Sequence, residues 1–125
     1  MIEIKNPYLM FIGDVPDQLA AKTADGVAHW RRDWCLGQIS LEGCKADLGL
    51  PDMSVAEAAE AGVKTLIVGV TNQGGYFADT WVETMHSAID HGMDIASGMH
   101  AKLSTVPGLA EKAETAGRQL YDVRH

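Results

Sequence analysis

The chain has 125 residues, 46% of them hydrophobic and 22% charged, which is enough for one domain with one buried core and argues against disorder. Its formal net charge of −7 argues against a nucleic-acid partner, because such binders concentrate Lys and Arg on one face. No apolar run approaches the roughly 20 residues of a membrane helix, and the N-terminus lacks the layout of a signal peptide. We therefore expect a cytoplasmic protein without a membrane partner.

Cysteine and histidine usage excludes two further classes of site. Cys35 and Cys44 are too few for a disulfide framework. The histidines follow no spacing of a zinc site, so we expect no metal. The short basic patch of residues 30–32 is interpreted as a solvated helix end, where cations favour the helix dipole.

The first third of the chain predicts a strand, a helix and a second strand. Residues 8–12 are apolar without alternation, as in a strand buried on both faces. A helix is predicted over residues 17–30, with Asp14 as its cap and Pro16 in its first turn. The predicted apolar side of this helix consists of Leu19, Thr23, Val27 and Trp30. Residues 35–41 predict a strand that Gly37 weakens.

The remaining elements follow an irregular segment, residues 42–52, that is either a functional loop or a crossover. Ser54 and Glu57 form a capping box, which starts a short helix ending at Gly62. Three strands are predicted at residues 66–70, 94–97 and 120–123, and two helices at 78–91 and 109–116. The longer of these helices carries Trp81, Met85, Ala88 and Ile89 on one face.

Three of the predicted helices close on a glycine, at Gly62, Gly92 and Gly117, and a short apolar run follows each. This repeated order predicts an α/β fold: a Rossmann-like, doubly wound, mostly parallel five-stranded sheet with helices on both faces. Such sheets bind ligands at the carboxyl ends of their strands. The segments that should share that edge are residues 13–14, 43–45, 71–76, 97–100 and 124–125.

Two of these segments suggest a binding site through their glycines and polar side chains. After the third strand, the Gly74 and Gly75 amides could approach an anion while Asn72 and Gln73 add polar contacts; a plain turn explains the same residues. After the fourth strand, His100 could transfer protons near neutral pH, beside Ser97 and the Gly98 amide. A surface or capping histidine is the alternative.

Charged residues at the other strand ends are candidates for recognising carboxylates. Lys45 could bind one, and Arg124 could clamp one through both of its nitrogens, although a solvated chain end also explains Arg124. Asp14 could act as a base, or only as a cap. Cys44 lies beside a cation that would favour thiolate, but no histidine is adjacent.

Two nucleotide motifs are missing from the sequence. One glycine, Gly13, follows the first strand, so the G-x-G-x-x-G dinucleotide fingerprint is absent. No G-x-x-x-x-G-K-[S/T] phosphate loop occurs either. These absences argue against an oxidoreductase that uses NAD or FAD.

Four stretches carry a resemblance to a known family: residues 13–22, 43–53, 95–100 and 121–124. They resemble the N-terminal Rossmann-like domain of the D-glutamate N-acetyltransferase family, formerly a domain-of-unknown-function family. The resemblance extends from Pro7 to His125. It implies that residues 1–125 form a single domain, the N-terminal half of a two-domain protein, and that a following P-loop-like domain is needed for activity.

The implied reaction transfers the acetyl group of acetyl-CoA, as co-substrate, to the amine of D-glutamate. It needs a base for the ammonium proton, donors for the thioester oxyanion and clamps for two carboxylates. The loop positions suggest His100 or Asp14 as the base, the Gly74 and Gly75 amides as oxyanion or carboxylate donors, and Lys45 and Arg124 as clamps. We also expect a homo-oligomer.

Two other functions stay open at this point. The chain could be a non-catalytic ligand-binding or assembly domain that orders a neighbouring catalytic domain. It could also be a nucleotide-dependent oxidoreductase, which the fold permits and the glycine pattern disfavours.

Overall fold

Strands and helices alternate along the chain in the computed structural model, which describes residues 4–70, 77–99 and 102–122. The strands are β1 (Tyr8–Gly13), β2 (Cys35–Ser40), β3 (Thr65–Val68), β4 (Asp94–Ser97) and β5 (Leu120–Asp122). The α-helices are α1 (Lys22–Trp30), α2 (Val55–Glu60), α3 (Asp79–Asp90) and α4 (Leu109–Ala116). Short 3₁₀ turns occupy Leu19–Ala21, Arg32–Trp34 and Leu103–Thr105.

The strands form one sheet in the order β2-β1-β3-β4-β5, and every neighbouring pair is parallel. All six residues of β1 are buried, as are the four residues of β4. A parallel sheet reads as continuous apolar runs because both of its faces pack inside the protein. The predicted Rossmann-like α/β fold is therefore confirmed.

The strand order determines which face each helix covers. The step from β1 to β2 goes one way along the sheet, and every later step goes the other way. Because crossovers between parallel strands are right-handed, α1 lies on one face and α2, α3 and α4 lie on the opposite face. The contacts agree: α3 packs against both α2 and α4, while the Ala24 N–H of α1 donates to the Gly69 carbonyl at 2.8 Å.

Most local predictions from the sequence hold in the structure. Ser54 and Glu57 form both hydrogen bonds of a capping box. The buried residues of α3 include the predicted set of Trp81, Met85, Ala88 and Ile89. The glycines predicted to end helices all have positive φ, at +93° for Gly62, +84° for Gly92 and +71° for Gly117.

The first helix differs from its prediction in three respects. Its start is delayed to Lys22, and Asp14 does not cap it; Asp17 accepts the Ala20 N–H of the preceding 3₁₀ turn instead. The buried residues of the 3₁₀ turn and the helix are Ala21, Ala24 and Ala28, whereas Trp30 is 80% exposed. The reason is the close approach of the helix to Gly69, which leaves room only for small side chains.

The basic patch of residues 30–32 lies at the end of α1, with Trp30 and Arg32 exposed as predicted for a solvated helix end, but its arginines also make specific contacts. The Arg31 guanidinium lies 3.6 Å above the Trp34 ring, a favourable cation–π contact. Arg32 donates to the Gly49 carbonyl at 2.6 Å. The patch therefore ties α1 to its neighbours.

Candidate functional site at the carboxyl edge of the sheet

The strand order places a topological switch point between β1 and β3. The connection from β1 leads to β2 on one side of the sheet and the connection from β3 leads to β4 on the other, and a strand order that reverses in this way opens a crevice in such sheets. In doubly wound sheets with this order, ligands bind in that crevice, outside the carboxyl ends of the strands. On the β1 side the outgoing segment begins at Asp14, and on the β3 side the described residues end at Val70.

Asp14 is the acidic residue at this crevice, and Trp81 of α3 holds it. The Trp81 indole N–H donates to Oδ1 of Asp14 at 2.9 Å, and the Trp81 side chain is only 1% exposed. A buried indole N–H requires an acceptor. The bond fixes one oxygen of an otherwise exposed carboxylate and leaves the second oxygen available to a ligand.

Gly13 makes this arrangement sterically possible. Its φ is +55°, and a Cβ atom there would lie 2.8 Å from Cε2 and Nε1 of Trp81. The ring of Trp81 also contacts Phe11 edge to face at a centroid distance of 5.5 Å. Glycine therefore allows both the left-handed turn after β1 and the close approach of the indole.

The segment after β2 brings Lys45 to the same edge. The Lys45 N–H donates to the Val15 carbonyl at 2.9 Å, and the Leu41 N–H donates to the Gly13 carbonyl at 2.8 Å. Lys45 is exposed, so its ammonium group can reach a ligand. The Cys44 thiol points instead to the Ile12 and Ala46 carbonyls.

Gln38, which is 3% exposed, holds the irregular segment after β2 in place. Its side-chain amide donates to Asp47 and Asp52, both at 3.0 Å, and accepts the Leu48 N–H at 2.9 Å. Its backbone adds bonds to Pro51 and Met53. Residues 41–53 are thus an ordered loop of the site edge. The sequence pattern marked the loop but gave no sign that Gln38 organises it.

Asp47 has an unusual electrostatic environment within this loop. The Gly49 N–H, followed by the Gln38 amide, lowers the pKa of Asp47 below its usual value, because both stabilise the charged carboxylate. Gln18 binds the backbone of Asp47 through two hydrogen bonds of 2.9 Å. The loop is consequently joined to the segment that follows β1.

The end of β4 contributes polar groups that are already engaged. Ser97 is buried, and its Oγ accepts the Met99 N–H at 3.1 Å. The Gly98 N–H donates to the Val68 carbonyl at 3.1 Å. On the neighbouring strand, Asp122 accepts the Leu103 N–H at 2.8 Å, a contact that the sequence did not reveal. A role of Ser97 and Gly98 in substrate binding stays a prediction.

The other predicted site residues lie outside the described part of the chain: Asn72, Gln73, Gly74, Gly75, His100 and Arg124. Their roles also stay predictions. Among the described predictions, Asp14 and Lys45 are brought to one edge through the Lys45–Val15 hydrogen bond. The sequence did not predict the hydrogen bond from Trp81 to Asp14, because the residue pattern places Trp81 only on the buried face of a helix.

A carboxylate and an ammonium group at the same edge of the sheet suit a ligand that carries both charges. Asp14 can accept a hydrogen bond from a substrate ammonium group, and Lys45 can neutralise a substrate carboxylate. Within residues 4–70, 77–99 and 102–122, no group of three His, Cys, Asp or Glu side chains could hold a metal ion. In the same ranges, no helix has the length and apolarity to cross a membrane.

The all-parallel order, the switch point and the edge loops define a Rossmann-like α/β domain. A solved structure of a DUF1611 family protein from Anabaena variabilis has this fold, with a TM-score of 0.75 and 22% identity over 96% of this chain and 37% of that one. Residues 39–125 match the family described as "Domain of unknown function (DUF1611_N) Rossmann-like domain". The chain belongs to that family.

Two curated relatives are named D-glutamate N-acetyltransferase. The protein from Tritonibacter scottomollicae is 51% identical over 121 residues, 97% of this chain, and the protein from Pseudoalteromonas sp. is 40% identical over 124 residues, 99% of this chain. The match covers 36% and 37% of those proteins. The chain therefore spans about a third of the length of the relatives it matches.

Proposed function

We propose that this chain is the N-terminal, Rossmann-like part of a D-glutamate N-acetyltransferase and acts together with polypeptide corresponding to the rest of its relatives. The observation that carries the proposal is 51% identity over 97% of the chain to a protein of that name. The presence of the Asp14 carboxylate and the exposed Lys45 side chain at one edge of the sheet supports it, because the substrate is a charged amino acid.

The reaction joins the amine nitrogen of D-glutamate to the acetyl carbon of acetyl-CoA. The carbon–sulfur bond breaks, the CoA sulfur leaves as thiolate, and the ammonium proton must pass to a base before attack. The thioester oxygen gains charge in the transition state and needs hydrogen-bond donors. The rate therefore depends on a base, oxyanion donors and carboxylate clamps that are positioned in advance.

The described residues supply two of these parts in our proposal. Asp14 orients the substrate ammonium group or takes its proton, with Trp81 fixing its carboxylate. Lys45 clamps a substrate carboxylate from the ordered loop of residues 41–53. We assign the remaining parts to His100 as the alternative base, to the Gly74 and Gly75 amides as donors, and to Arg124 as the second clamp.

The test uses a fusion protein in which this chain replaces the matched third of the Tritonibacter relative. We expect the fusion protein to release CoA thiol with D-glutamate and acetyl-CoA, and to act more weakly on L-glutamate. The unaltered relative is the positive control. The proposal is wrong if the relative acetylates D-glutamate and the folded fusion protein does not.

Calorimetry of the 125-residue chain separates the proposal from its alternatives. Titration with D-glutamate, acetyl-CoA and NAD is compared between the chain and the fusion protein. Binding of NAD alone indicates a redox enzyme. A folded fusion protein that binds neither D-glutamate nor acetyl-CoA indicates an assembly domain.

A further inference from the structure

An apolar cavity of about 190 Å³ lies on the α1 face of the sheet. Its lining includes Ile4, Val27, Trp34 and Ile67, all half-buried, together with Tyr8 and Ala96. Tyr121 is the register partner of Ala96, so its half-buried side chain extends this surface toward the sheet edge. We call this surface the α1-side groove.

Trp30 extends the groove onto the outer side of α1. Its side chain is 80% exposed, and among the residues that the structure describes it is the one large hydrophobic side chain in the exposed class. A shallow apolar depression formed with Gly26, Val27 and Arg31 surrounds it. Val27 and Arg31 also line the cavity, so the two features form one continuous patch. Contiguous exposed apolar surface of this kind marks interaction sites.

The helix arrangement explains why this face is open. Three helices cover the opposite face, whereas among the described residues α1 is the one α-helix on this face. The contact of α1 with Gly69 confines the helix to β1 and the end of β3. Parallel sheets are normally covered by helices on both faces. Within residues 4–70, 77–99 and 102–122, no second α-helix lies over Ile67 and Tyr121, and both residues are half-buried.

One polar atom of the groove lacks a partner. Nε of Arg31 is buried and has no hydrogen-bond acceptor in the described part of the chain, although the guanidinium stacks on Trp34. A buried donor without an acceptor is costly. A partner that places a backbone carbonyl or a carboxylate beside Arg31 would remove this cost.

We propose that the α1-side groove is the docking surface for an amphipathic helix from the remaining two thirds of the acetyltransferase polypeptide. The inference rests on the proposed function only in taking that polypeptide as the partner. The apolar side of this helix covers Ile67, Tyr121 and Trp30, and its carbonyl end or a carboxylate side chain meets Arg31. The chain covers only 36% of the Tritonibacter relative, which leaves ample polypeptide to supply such a helix. A second copy of this chain is disfavoured because both would carry a charge of −7.

Hydroxyl-radical footprinting tests the docking surface directly. Trp30 oxidation is compared between the 125-residue chain and the fusion protein, with exposed His91 at the end of α3 as the internal control. We expect Trp30 to react about fivefold more slowly in the fusion protein, because interface cores exclude water, while His91 is unchanged. Equal Trp30 rates overturn the proposal. The readout does not depend on acetyl transfer, so an inactive fusion protein with protected Trp30 refutes the proposed function alone.

A matched pair of variants gives a second readout. Trp30→Asp and His29→Asp change adjacent exposed residues of α1. We expect both variants to lower the melting temperature of the 125-residue chain slightly and equally, because each places an acid in the last turn of α1, and Trp30→Asp to lower that of the fusion protein more than His29→Asp does. Equal effects in the fusion protein overturn the proposal. A second outcome also overturns the proposal. If Trp30 of the 125-residue chain becomes more protected as the protein concentration rises, and sedimentation shows a dimer, the groove binds a second copy of this chain.

If the fusion protein does not fold, the natural Tritonibacter protein replaces it. Hydrogen exchange is then measured over its segment aligned with residues 26–34, in the full-length protein and in its matched third. Slower exchange in the full-length protein supports the docking surface. Equal exchange overturns it.

Discussion

Asp14 shows how a contact between distant residues changes the interpretation of one side chain. Its position before a predicted helix suggested a cap, which is a local role. In the structure, the Oδ1 atom of Asp14 accepts a hydrogen bond from the indole N–H of Trp81, 67 residues away. An aspartate that does not cap its own helix and is oriented by a buried donor is better suited to binding a substrate.

Gly13→Ala should destabilise the protein more than an ordinary glycine replacement. The left-handed φ of +55° costs about 1–2 kcal/mol for alanine, and the 2.8 Å approach to Trp81 adds about 1–3 kcal/mol of overpacking. Urea denaturation measures the loss. The control is Gly43→Ala, where φ is +89° and no described atom lies within 4 Å. Equal losses for both variants would show that the indole moves aside freely.

Trp81→Phe should lower the free energy of unfolding by about 2–3 kcal/mol, because it removes the donor to Asp14 and leaves a cavity. Asp14→Asn keeps an acceptor oxygen for the indole, so its loss should be about 1 kcal/mol or less. Both are measured by urea denaturation of the 125-residue chain. A larger loss for Asp14→Asn would mean that the charge of Asp14, rather than the indole bond, stabilises the fold.

The sequence left the conformation of residues 42–52, which lie within the loop of residues 41–53, undecided between a functional loop and a crossover. The structure shows that a buried amide organises it. Gln38 binds three loop residues through its side chain, and this network positions Lys45 beside Val15.

Gln38→Leu should lower stability by about 2–3 kcal/mol, because the buried Leu48 N–H loses its acceptor and two carboxylates lose a donor. Hydrogen exchange should accelerate at Leu48 and Gly49. The control is Gln18→Leu, which removes exposed bonds to Asp47 that water can replace, at a cost of about 1 kcal/mol or less. Unchanged exchange in Gln38→Leu would disprove the organising role.

Asp47 should contribute to the acid sensitivity of the fold. Its pKa is lower in the folded chain than in the unfolded chain, chiefly because of the Gly49 N–H. Its stabilisation is therefore complete above the unfolded value of about 3.9 and is lost as the pH falls through the folded value. Urea midpoints measured from acidic to neutral pH should fall less steeply below about pH 4 in Asp47→Asn than in the natural chain. Parallel curves would contradict the assignment.

Asp14 and Lys45 follow different strands, and the sheet as a whole brings them to one edge. The prediction about activity therefore concerns the whole molecule. In the fusion protein, Asp14→Asn should lower kcat/KM for D-glutamate by about 100-fold, as expected for a general base or ammonium ligand. Lys45→Ala should raise KM by about tenfold or more through loss of a charge-assisted contact. The control is Lys64→Ala, an exposed lysine before β3 at the opposite edge. Activity unaffected by both site variants would remove Asp14 and Lys45 from the site.

Much of the fold followed from local patterns, and the site followed only in part. The strands at β1, β3 and β4 and the glycine ends of the helices were predictable because backbone conformation and burial leave direct traces in residue type. The burial of α1 was not, since the sequence shows an apolar stripe through Val27 and Trp30 but not how closely Ala24 approaches Gly69. Lys45 was identified by its position after a strand, whereas Gln38 carried no recognisable signal.

The order of apolar runs, glycines and caps was sufficient to determine a Rossmann-like parallel sheet and to identify the edge at which we expect a ligand, because right-handed connections allow few alternatives. Only the tertiary structure decided that Trp81 orients Asp14, that Gln38 fixes the loop of Lys45 and that Trp30 is exposed at the end of α1. Those features depend on contacts between residues distant in sequence, and no local pattern records such contacts.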